Sequence, residues 1–109
     1  MIFVVLGRDV PGGAPRRCHR AAHLDYVAGK QGLIVYAGPL LDDGRMIGSL
    51  FVFDVADRAA LDAYLADDPY FREGIFDSVE IWESRWMVPE REPGVLAAEA
   101  EKARAAANG

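Results

Sequence analysis

One histidine and one aspartate of this sequence carry the side chains best suited to proton transfer. His23 lies in RAAHLDYV and Asp68 lies in LADDPYFREGIF. An imidazole titrates close to neutral pH and needs a hydrogen-bond partner that fixes its tautomer. A carboxylate has two oxygens, so Asp68 could cap a helix with one and accept the Nδ1 proton of His23 with the other. We therefore interpret His23 as a candidate general acid or base and Asp68 as the partner that orients it.

Each of these residues also has a purely structural interpretation, which the sequence leaves open. The pair Asp68-Pro69 is typical of a helix start, because aspartate caps free amides and proline has no amide to leave unpaired. His23 could be a half-buried histidine that is hydrogen-bonded to a backbone carbonyl. The two residues are far apart along the chain, so only the fold can bring them together.

The same stretch gives weaker indications of a metal site or a cysteine nucleophile. His19 and His23 have the spacing of helical zinc ligands, but HRAAH lacks the glutamate that a zinc protease uses as a base. No third ligand stands at a convincing position. Cys18, the single cysteine, lies next to no thiolate-stabilising motif and is interpreted as a small packed residue in a reducing compartment. We expect no metal and no other cofactor.

The elements that must position these residues follow the order β α β β α β. Strands are predicted at residues 2–6, 32–38, 46–55 and 78–88. Helices are predicted from about residue 15 to 30 and after Asp57, a candidate N-cap. Asp43-Gly44 predicts a hairpin between the second and third strands. This order predicts a ferredoxin-like α+β fold, in which a four-stranded antiparallel sheet carries both helices on one face.

The first predicted helix has one narrow apolar stripe, formed by Ala21, Leu24 and Ala28. His23 lies beside that stripe on the helical wheel. Its ring is therefore expected to lean over the sheet edge while it stays within reach of solvent.

The predicted strands are apolar on both faces, as in IFVVL, LIVYA and LFVF, and the last strand puts Trp82 and Trp86 opposite Val79 and Ile81. Two helices can cover only one face of the sheet, and a large apolar patch is rare on a soluble monomer. We predict that a two-fold homodimer buries the second face. A ligand cavity or a cover formed by the C-terminal tail are the alternatives.

The composition is that of a single soluble domain. The chain has 109 residues, of which 51% are hydrophobic and 27% are charged. Its net charge of −5 argues against nucleic acid as a partner. No run spans a bilayer and MIFVVLG does not resemble a signal peptide, so a cytoplasmic protein is expected. Residues 1–88 are predicted to form the domain, and residues 89–109 a linker and an alanine-rich tail that can be helical.

Four segments together resemble the YciI-like (YCII-related) family in order and spacing. They are RAAHLDYV, GLIVYAGPL, the pair Gly48-Ser49, and DPYFREGIF. The resemblance covers roughly residues 1–88 and implies a dimeric α+β barrel of ferredoxin-like subunits. It also implies a His-Asp dyad, which corresponds to His23 and Asp68.

Other candidate residues are expected to bind the substrate of such a site. By the resemblance, Arg20 would meet a substrate carboxylate, and Ser49 belongs to the Gly-Ser pair of the pattern. Among the aromatic residues, Tyr36 and Tyr70 are the best placed to reach a pocket through their hydroxyls. The candidate substrate-binding residues are thus Arg20, Tyr36, Ser49 and Tyr70.

The best-defined enzyme type of that family resembles chloromuconolactone dehalogenase, which eliminates chloride from a small carboxylated lactone without a redox cofactor. The resulting hypothesis is a cofactor-independent lyase, dehalogenase or isomerase that acts on a small anionic ring-cleavage product such as a lactone. The alternative is a non-catalytic dimeric module that binds a ligand or assists a neighbouring enzyme. Oxygenase chemistry of related dimeric barrels is a third hypothesis, which rests on analogy of fold alone.

Overall fold

The computed structural model describes residues 1–108, so Gly109, the last residue of the predicted tail, lies outside the described residues. Four strands and four helices follow one another, with a short 3₁₀ turn, Gln31–Leu33, before the second strand. The strands are β1 (Ile2–Asp9), β2 (Ile34–Asp42), β3 (Arg45–Asp54) and β4 (Phe76–Ser84). The helices are α1 (Ala14–Ala28), α2 (Arg58–Asp67), the single-turn α3 (Pro69–Arg72) and α4 (Val95–Asn108).

The four strands form one antiparallel sheet in the order β2-β3-β1-β4. Both of the first two long helices lie on the same face of this sheet, which confirms the predicted ferredoxin-like α+β fold. The core fills the space between sheet and helices. Its fully buried members come from β1, β3 and α2, namely Phe3, Val5, Phe51, Phe53, Leu61 and Tyr64.

Two local predictions are confirmed in detail. Asp43 and Gly44 form a two-residue hairpin loop between β2 and β3, and both have positive φ angles, 51° and 78°. A type I′ turn requires positive φ at both central residues, and aspartate and glycine tolerate it. Asp57 caps α2, because its carboxylate accepts a 2.8 Å hydrogen bond from the amide of Ala60. These features fix where the β2–β3 hairpin turns and where α2 begins.

The predicted apolar stripe of α1 does not face the core. Ala21, Leu24 and Ala28 are exposed, whereas Arg16 and His23 are the buried residues of this helix. His23 is largely buried, with 7% of its surface exposed, and it lines a cavity. The physical reason is that buried carboxylates of the sheet and helix layer bind both polar side chains, which compensates their burial.

The last strand is shorter at its C-terminal end than predicted. β4 ends at Ser84 rather than at residue 88, and Trp86 therefore lies outside the sheet. The only strand that pairs with β4 is β1, whose first residue, Ile2, stands opposite Ser84. Beyond Ser84 there is no neighbouring backbone with which the chain could form a ladder.

The face of the sheet opposite the helices is apolar and open. Cross-strand pairing places one row of side chains on it, Tyr36, Val52, Val4 and Trp82. Tyr36 is 57% exposed and Trp82 is 64% exposed. The next row on this face contains Leu50 and Leu6. Nothing within residues 1–108 covers this open face.

The C-terminal segment is tied to the domain at a few points only. Arg91 forms a 2.8 Å ion pair with Asp54 and stacks over the ring of Trp86 at 3.7 Å. The hydrogen bond from Arg91 lowers the pKa of Asp54. Helix α4 has no buried residue, so the tail does not cover the open face of the sheet within one chain. The boundary between domain and tail at residue 88 stays a prediction.

No helix of the described chain is both long enough and apolar enough to cross a membrane.

Gly48 of β3 should not tolerate a side chain. A Cβ atom there would collide with the carbonyl oxygen of Gly7 and lie 3.2 Å from Leu40 Cδ1. Because the first obstacle is backbone, the sheet itself would have to shift, and we expect Gly48→Ala to lower the free energy of unfolding by about 1–3 kcal/mol. Urea unfolding followed by circular dichroism measures this. Gly32→Ala is the matched control, since nothing lies within 4 Å of its Cβ position; equal midpoints for the two variants would contradict the prediction.

Candidate active site

Asp68 lies at the junction of α2 and α3 and is completely buried. It ends α2 and caps α3, where its Oδ1 atom accepts a 2.9 Å hydrogen bond from the amide of Tyr70. Pro69 follows at the first helical position, where its missing amide leaves no donor unpaired. The sequence DDPY thus forms a helix start whose capping carboxylate faces inward.

Two further donors bind the same carboxylate. His23 Nδ1 lies 2.8 Å from Asp68 Oδ1, and the hydroxyl of Tyr64 donates to Oδ2 at 2.9 Å. One oxygen therefore serves both the helix cap and the histidine, where the sequence suggested one oxygen for each. Three hydrogen bonds from three elements offset the cost of removing this carboxylate from water.

The ring of His23 is held on two further sides by aromatic residues. It stacks on the ring of Tyr70 with a centroid distance of 3.7 Å and an interplanar angle of 5°. The edge of Phe51, from β3, approaches it at 6.0 Å and 83°. Packing and the hydrogen bond to Asp68 together fix the orientation of the imidazole.

The hydrogen bond to Asp68 also fixes the role of each ring nitrogen. Because Asp68 Oδ1 is an acceptor, Nδ1 is the donor and carries a proton. Nε2 has no hydrogen-bond partner among residues 1–108, and every fully buried polar side-chain atom there has one, so Nε2 must be accessible from a cavity. In the neutral ring, Nε2 is a free base.

The cavity that His23 lines has a volume of about 140 Å³. It lies between α1 and the helix-facing side of β2 and β3. Arg16, Arg20, Val27, Ala37, Pro39, Ser49, Phe51 and Tyr70 are among its walls. Its size is comparable to that of an engineered cavity of roughly 150 Å³ that binds benzene. It is therefore suited to a single ring.

A buried ion pair borders this cavity. Arg16 is 4% exposed and binds the carboxylate of Asp9 in a fork, with Nε 2.7 Å from Oδ2 and Nη2 2.8 Å from Oδ1. Burial by itself would lower the pKa of Arg16, but the hydrogen bond and charge of Asp9 outweigh it and raise the pKa above the ordinary arginine value. The guanidinium therefore stays charged beside the cavity.

Arg16 also connects two residues of the cavity wall. Its Nη2 donates to the hydroxyl of Ser49 at 2.8 Å, and its Nη1 lies 3.4 Å from the hydroxyl of Tyr70. A guanidinium has five N–H groups, of which these contacts and the fork to Asp9 use four. One N–H of Nη1 has no acceptor within the described chain and can donate to a bound molecule.

The structure brings most of the predicted site residues together. His23, Arg20, Ser49 and Tyr70 all line the cavity, and Asp68 lies directly behind the histidine. Tyr36 does not belong to this cluster. It pairs with Val52 on the open face of the sheet, whereas its neighbour Ala37 pairs with Phe51 on the face that carries the cavity.

Three residues of the network were not singled out from the sequence. Arg16 lies on the same ridge of α1 as Arg20 and His23, four and seven positions before them, and that spacing was the only signal available. Asp9 is the last residue of β1, whereas the sequence pattern placed it in a loop. Tyr64 reads as a core residue of α2, and its hydroxyl contact with Asp68 is apparent only in three dimensions.

The alternative chemistries of α1 have no support from the geometry. Within the part of the chain that the structure describes, no three His, Cys, Asp or Glu side chains lie close enough together to hold a metal ion. Cys18 is exposed, on a face of α1 away from His23.

Tyr64→Phe should destabilise the fold at neutral pH by about 1–3 kcal/mol, because Asp68 Oδ2 would remain buried without its donor. The pH dependence should change as well. Burial, the charge of Asp68 and the hydrogen bond raise the pKa of Tyr64 above its ordinary value. The unfolded chain can then ionise this tyrosine above about pH 10 while the folded chain cannot, so the stability of the parent protein falls there.

The variant lacks this contribution, and its stability should fall less steeply between pH 9 and 11, a window around the ordinary tyrosine pKa of about 10. Urea midpoints at each pH measure both effects. Parallel pH profiles for the parent and the variant would show that Tyr64 ionises equally in both states.

Similarity to solved structures supports the same architecture. The chain is similar to 5-chloro-2-hydroxyhydroquinone dehydrochlorinase from Burkholderia phenoliruptrix in complex with 2,5-dihydroxybenzoquinone, with 26% identity and a TM-score of 0.68. The match covers 80% of this chain and 94% of that one. No curated protein sequence matches the chain.

More distant structures show the fold alone. A Mycobacterium tuberculosis protein is 15% identical with a TM-score of 0.53, and the match covers 81% of this chain and 99% of that one. An antibiotic biosynthesis monooxygenase is 17% identical with a TM-score of 0.51, over 79% of this chain and 100% of the other. These neighbours share the fold of the dimeric α+β barrels. Residues 1–85 match the YCII-related domain, and this chain belongs to the YCII-related family.

Proposed function

We propose that this protein is a small-molecule enzyme in which His23 acts as a general base in the elimination of an acid from a small hydroxylated ring. The observation that carries the proposal is the state of the imidazole. Its Nδ1–H group donates a hydrogen bond to a fully buried carboxylate, and its Nε2 atom faces a ring-sized cavity. A histidine with this division of roles is oriented to receive a proton from a bound molecule.

The proposed step conserves atoms and electrons without an external oxidant or reductant. Nε2 takes a proton from a hydroxyl or carbon of the substrate, and the electron pair left behind forms a C=O or C=C bond. The leaving group departs with its bonding pair as an anion. The imidazolium formed in this way faces the carboxylate of Asp68, which stabilises it. The proton then passes to water.

The cavity wall offers donors for the charge that develops on the substrate. The free N–H of Arg16 Nη1 can bind an oxyanion, and the guanidinium is held rigid by Asp9. A preorganised donor of this kind stabilises a transition state without reorganisation. Arg20, Ser49 and Tyr70 are proposed to orient the ring. The similarity to a dehydrochlorinase that binds 2,5-dihydroxybenzoquinone supports both the elimination chemistry and a ligand of this size.

His23→Gln should lower kcat for such an elimination by about 10²–10⁴, the range typical of general acid–base catalysis. Asp68→Asn should cause a smaller loss, because the amide oxygen can still accept the bonds made at Oδ1 while the negative charge is gone. Chloride release from 5-chloro-2-hydroxyhydroquinone, the compound named for the structural neighbour, is the first assay. His19→Gln, on the same helix one turn earlier, is the matched control.

Full turnover by a folded His23→Gln variant would overturn the role of this histidine. A protein that binds 2,5-dihydroxybenzoquinone with His23 in contact, yet releases no leaving group from any halogenated hydroxyquinol, with or without an anionic side chain, would instead be a ligand-binding module. The two results separate the enzyme from its non-catalytic alternative.

We further propose that two copies of the chain pack through their open sheet faces. The row from Tyr36 to Trp82 is apolar, and the tail leaves it uncovered. Burial of such a face removes apolar surface from water, which drives association. A two-fold arrangement lets the same face serve both subunits.

Trp82→Glu should convert the dimer into a monomer, because a charge would be buried in the interface that this face forms. Sedimentation velocity of the parent and the variant measures this. Leu24→Glu is the control, since Leu24 is an exposed leucine of α1 on the helix side of the sheet. A monomeric parent protein, or a Trp82→Glu variant that still sediments as a dimer, would exclude this interface.

A further inference from the structure

A second and larger cavity opens beside the candidate active site. It has a volume of about 550 Å³ and lies between the β1–α1 loop, the first turns of α1 and the start of β3. Arg16 and Arg20 line both cavities, so the two are adjacent. We call this second cavity the arginine cleft, after the residues Arg16, Arg17, Arg20 and Arg45 in its walls.

The charge of the arginine cleft is opposite to that of the whole molecule. The chain carries 17 acidic and 12 basic residues, yet the cleft is lined by four arginines and a single carboxylate, Asp9. Asp9 is already bound by Arg16 in a fork. Three arginines therefore face the cleft in excess. A cationic cleft in an otherwise acidic surface concentrates anions locally, whereas the rest of the surface repels them.

The guanidinium groups of these three arginines have N–H donors that no carboxylate of the cleft binds. Arg17 donates to the carbonyl oxygen of Gly12, and Arg20 to the thioether sulfur of Met46 at 3.4 Å, so neither is matched by a carboxylate within residues 1–108. Arg45 lies 4.0 Å from Asp42 at an exposed position. A guanidinium presents a planar fork of N–H groups that fits the two oxygens of a carboxylate or phosphate.

Two glycines of the β1–α1 loop line part of the cleft and add no side-chain bulk there. Gly12 and Gly13 have positive φ angles, 88° and 68°, in the turn that leads into α1. Gly13 is the cap residue of α1 and offers no side-chain acceptor to the first amides of the helix. The cleft therefore combines open space beside Gly12 and Gly13 with the N–H donors and positive charge of the arginines.

We infer that the arginine cleft binds an oxyanion arm, a carboxylate or phosphate, that is covalently attached to the ring held at His23. The position of the ring rests on the proposed function, whereas the anion site stands on the cleft itself. Arg20 lines both cavities, and Arg17 and Arg45, which line the cleft alone, bind the arm. The substrate is then a ring with an anionic side chain rather than a bare hydroxyquinol.

The anion site is tested with inorganic phosphate and malonate as probes, by isothermal titration calorimetry at constant ionic strength. Arg17→Gln and Arg45→Gln should each weaken binding about 3- to 10-fold, as expected for the loss of one charge-assisted contact, and the double variant more. Arg72→Gln is the matched control, because Arg72 lies on α3 beside Glu73 and lines neither cavity. Failure of the parent protein to bind either probe, or unchanged binding in the double variant, would overturn the inference.

A second measurement tests the attachment of the arm to the ring. Hydroxyhydroquinone is compared with its carboxymethyl and phosphomethyl derivatives in binding to the parent protein and to the double variant. The arm should strengthen binding to the parent protein about tenfold, and it should strengthen binding to the double variant only slightly. The better of the two derivatives identifies the arm. No gain from either arm in the parent would overturn the attachment, whatever the effect of His23→Gln on turnover. Full turnover in His23→Gln would overturn the proposed function and leave the phosphate result unaffected.

Discussion

The burial of one carboxylate organises the helix layer of this protein. Asp68 has no solvent exposure, and an unpaired charge in that position would be strongly destabilising. It is instead bound by His23 from α1, Tyr64 from α2 and the amide of Tyr70 from α3. Each helix that covers the sheet contributes one donor. The relative positions of these helices are therefore constrained by hydrogen-bond geometry as well as by apolar packing.

A second buried charge, on the same face of the sheet, explains the orientation of α1. Arg16 is fixed to Asp9 at the end of β1, seven residues before His23 along the helix. Two polar anchors two turns apart determine which face of α1 turns inward. The apolar residues Ala21 and Leu24 are consequently left on the outside. Polar networks of this kind specify a unique arrangement when their buried atoms have partners, and every fully buried side-chain nitrogen or oxygen of the described residues has one.

The two cavities have complementary chemistry because they share the side of α1 that carries these anchors. The small cavity combines a free imidazole nitrogen with a rigid guanidinium, which are the groups that proton transfer and charge stabilisation require. The larger one adds the arginines of the first turn of α1 and of β3. The opposite face of the sheet carries the apolar row from Tyr36 to Trp82, with the charged residues Arg8 and Glu80 toward one end of the strands. The sheet therefore separates a face suited to chemistry from a face suited to association.

The local features of the fold follow from residue types alone. The hairpin at Asp43-Gly44, the cap at Asp57 and the helix start at Asp68-Pro69 depend on backbone angles and nearby amides, which the residue types specify directly. The order of these elements then indicated the fold class. His23 and Asp68 could be proposed as site residues because the acid–base chemistry of histidine and aspartate is known from the residue type alone.

Which side chains meet depends on the folded arrangement of the strands and helices. An irregularity in β2 between Ile34 and Tyr36 shifts its register against β3, and side chains alternate between faces with a period of two residues. That shift, which no residue pattern reveals, is consistent with Tyr36 lying on the open face and Ala37 at the cavity. Likewise, Ser49 and Tyr70 are distant in sequence from Arg16, and His23 is distant from Asp68, so these contacts exist only once the chain has folded.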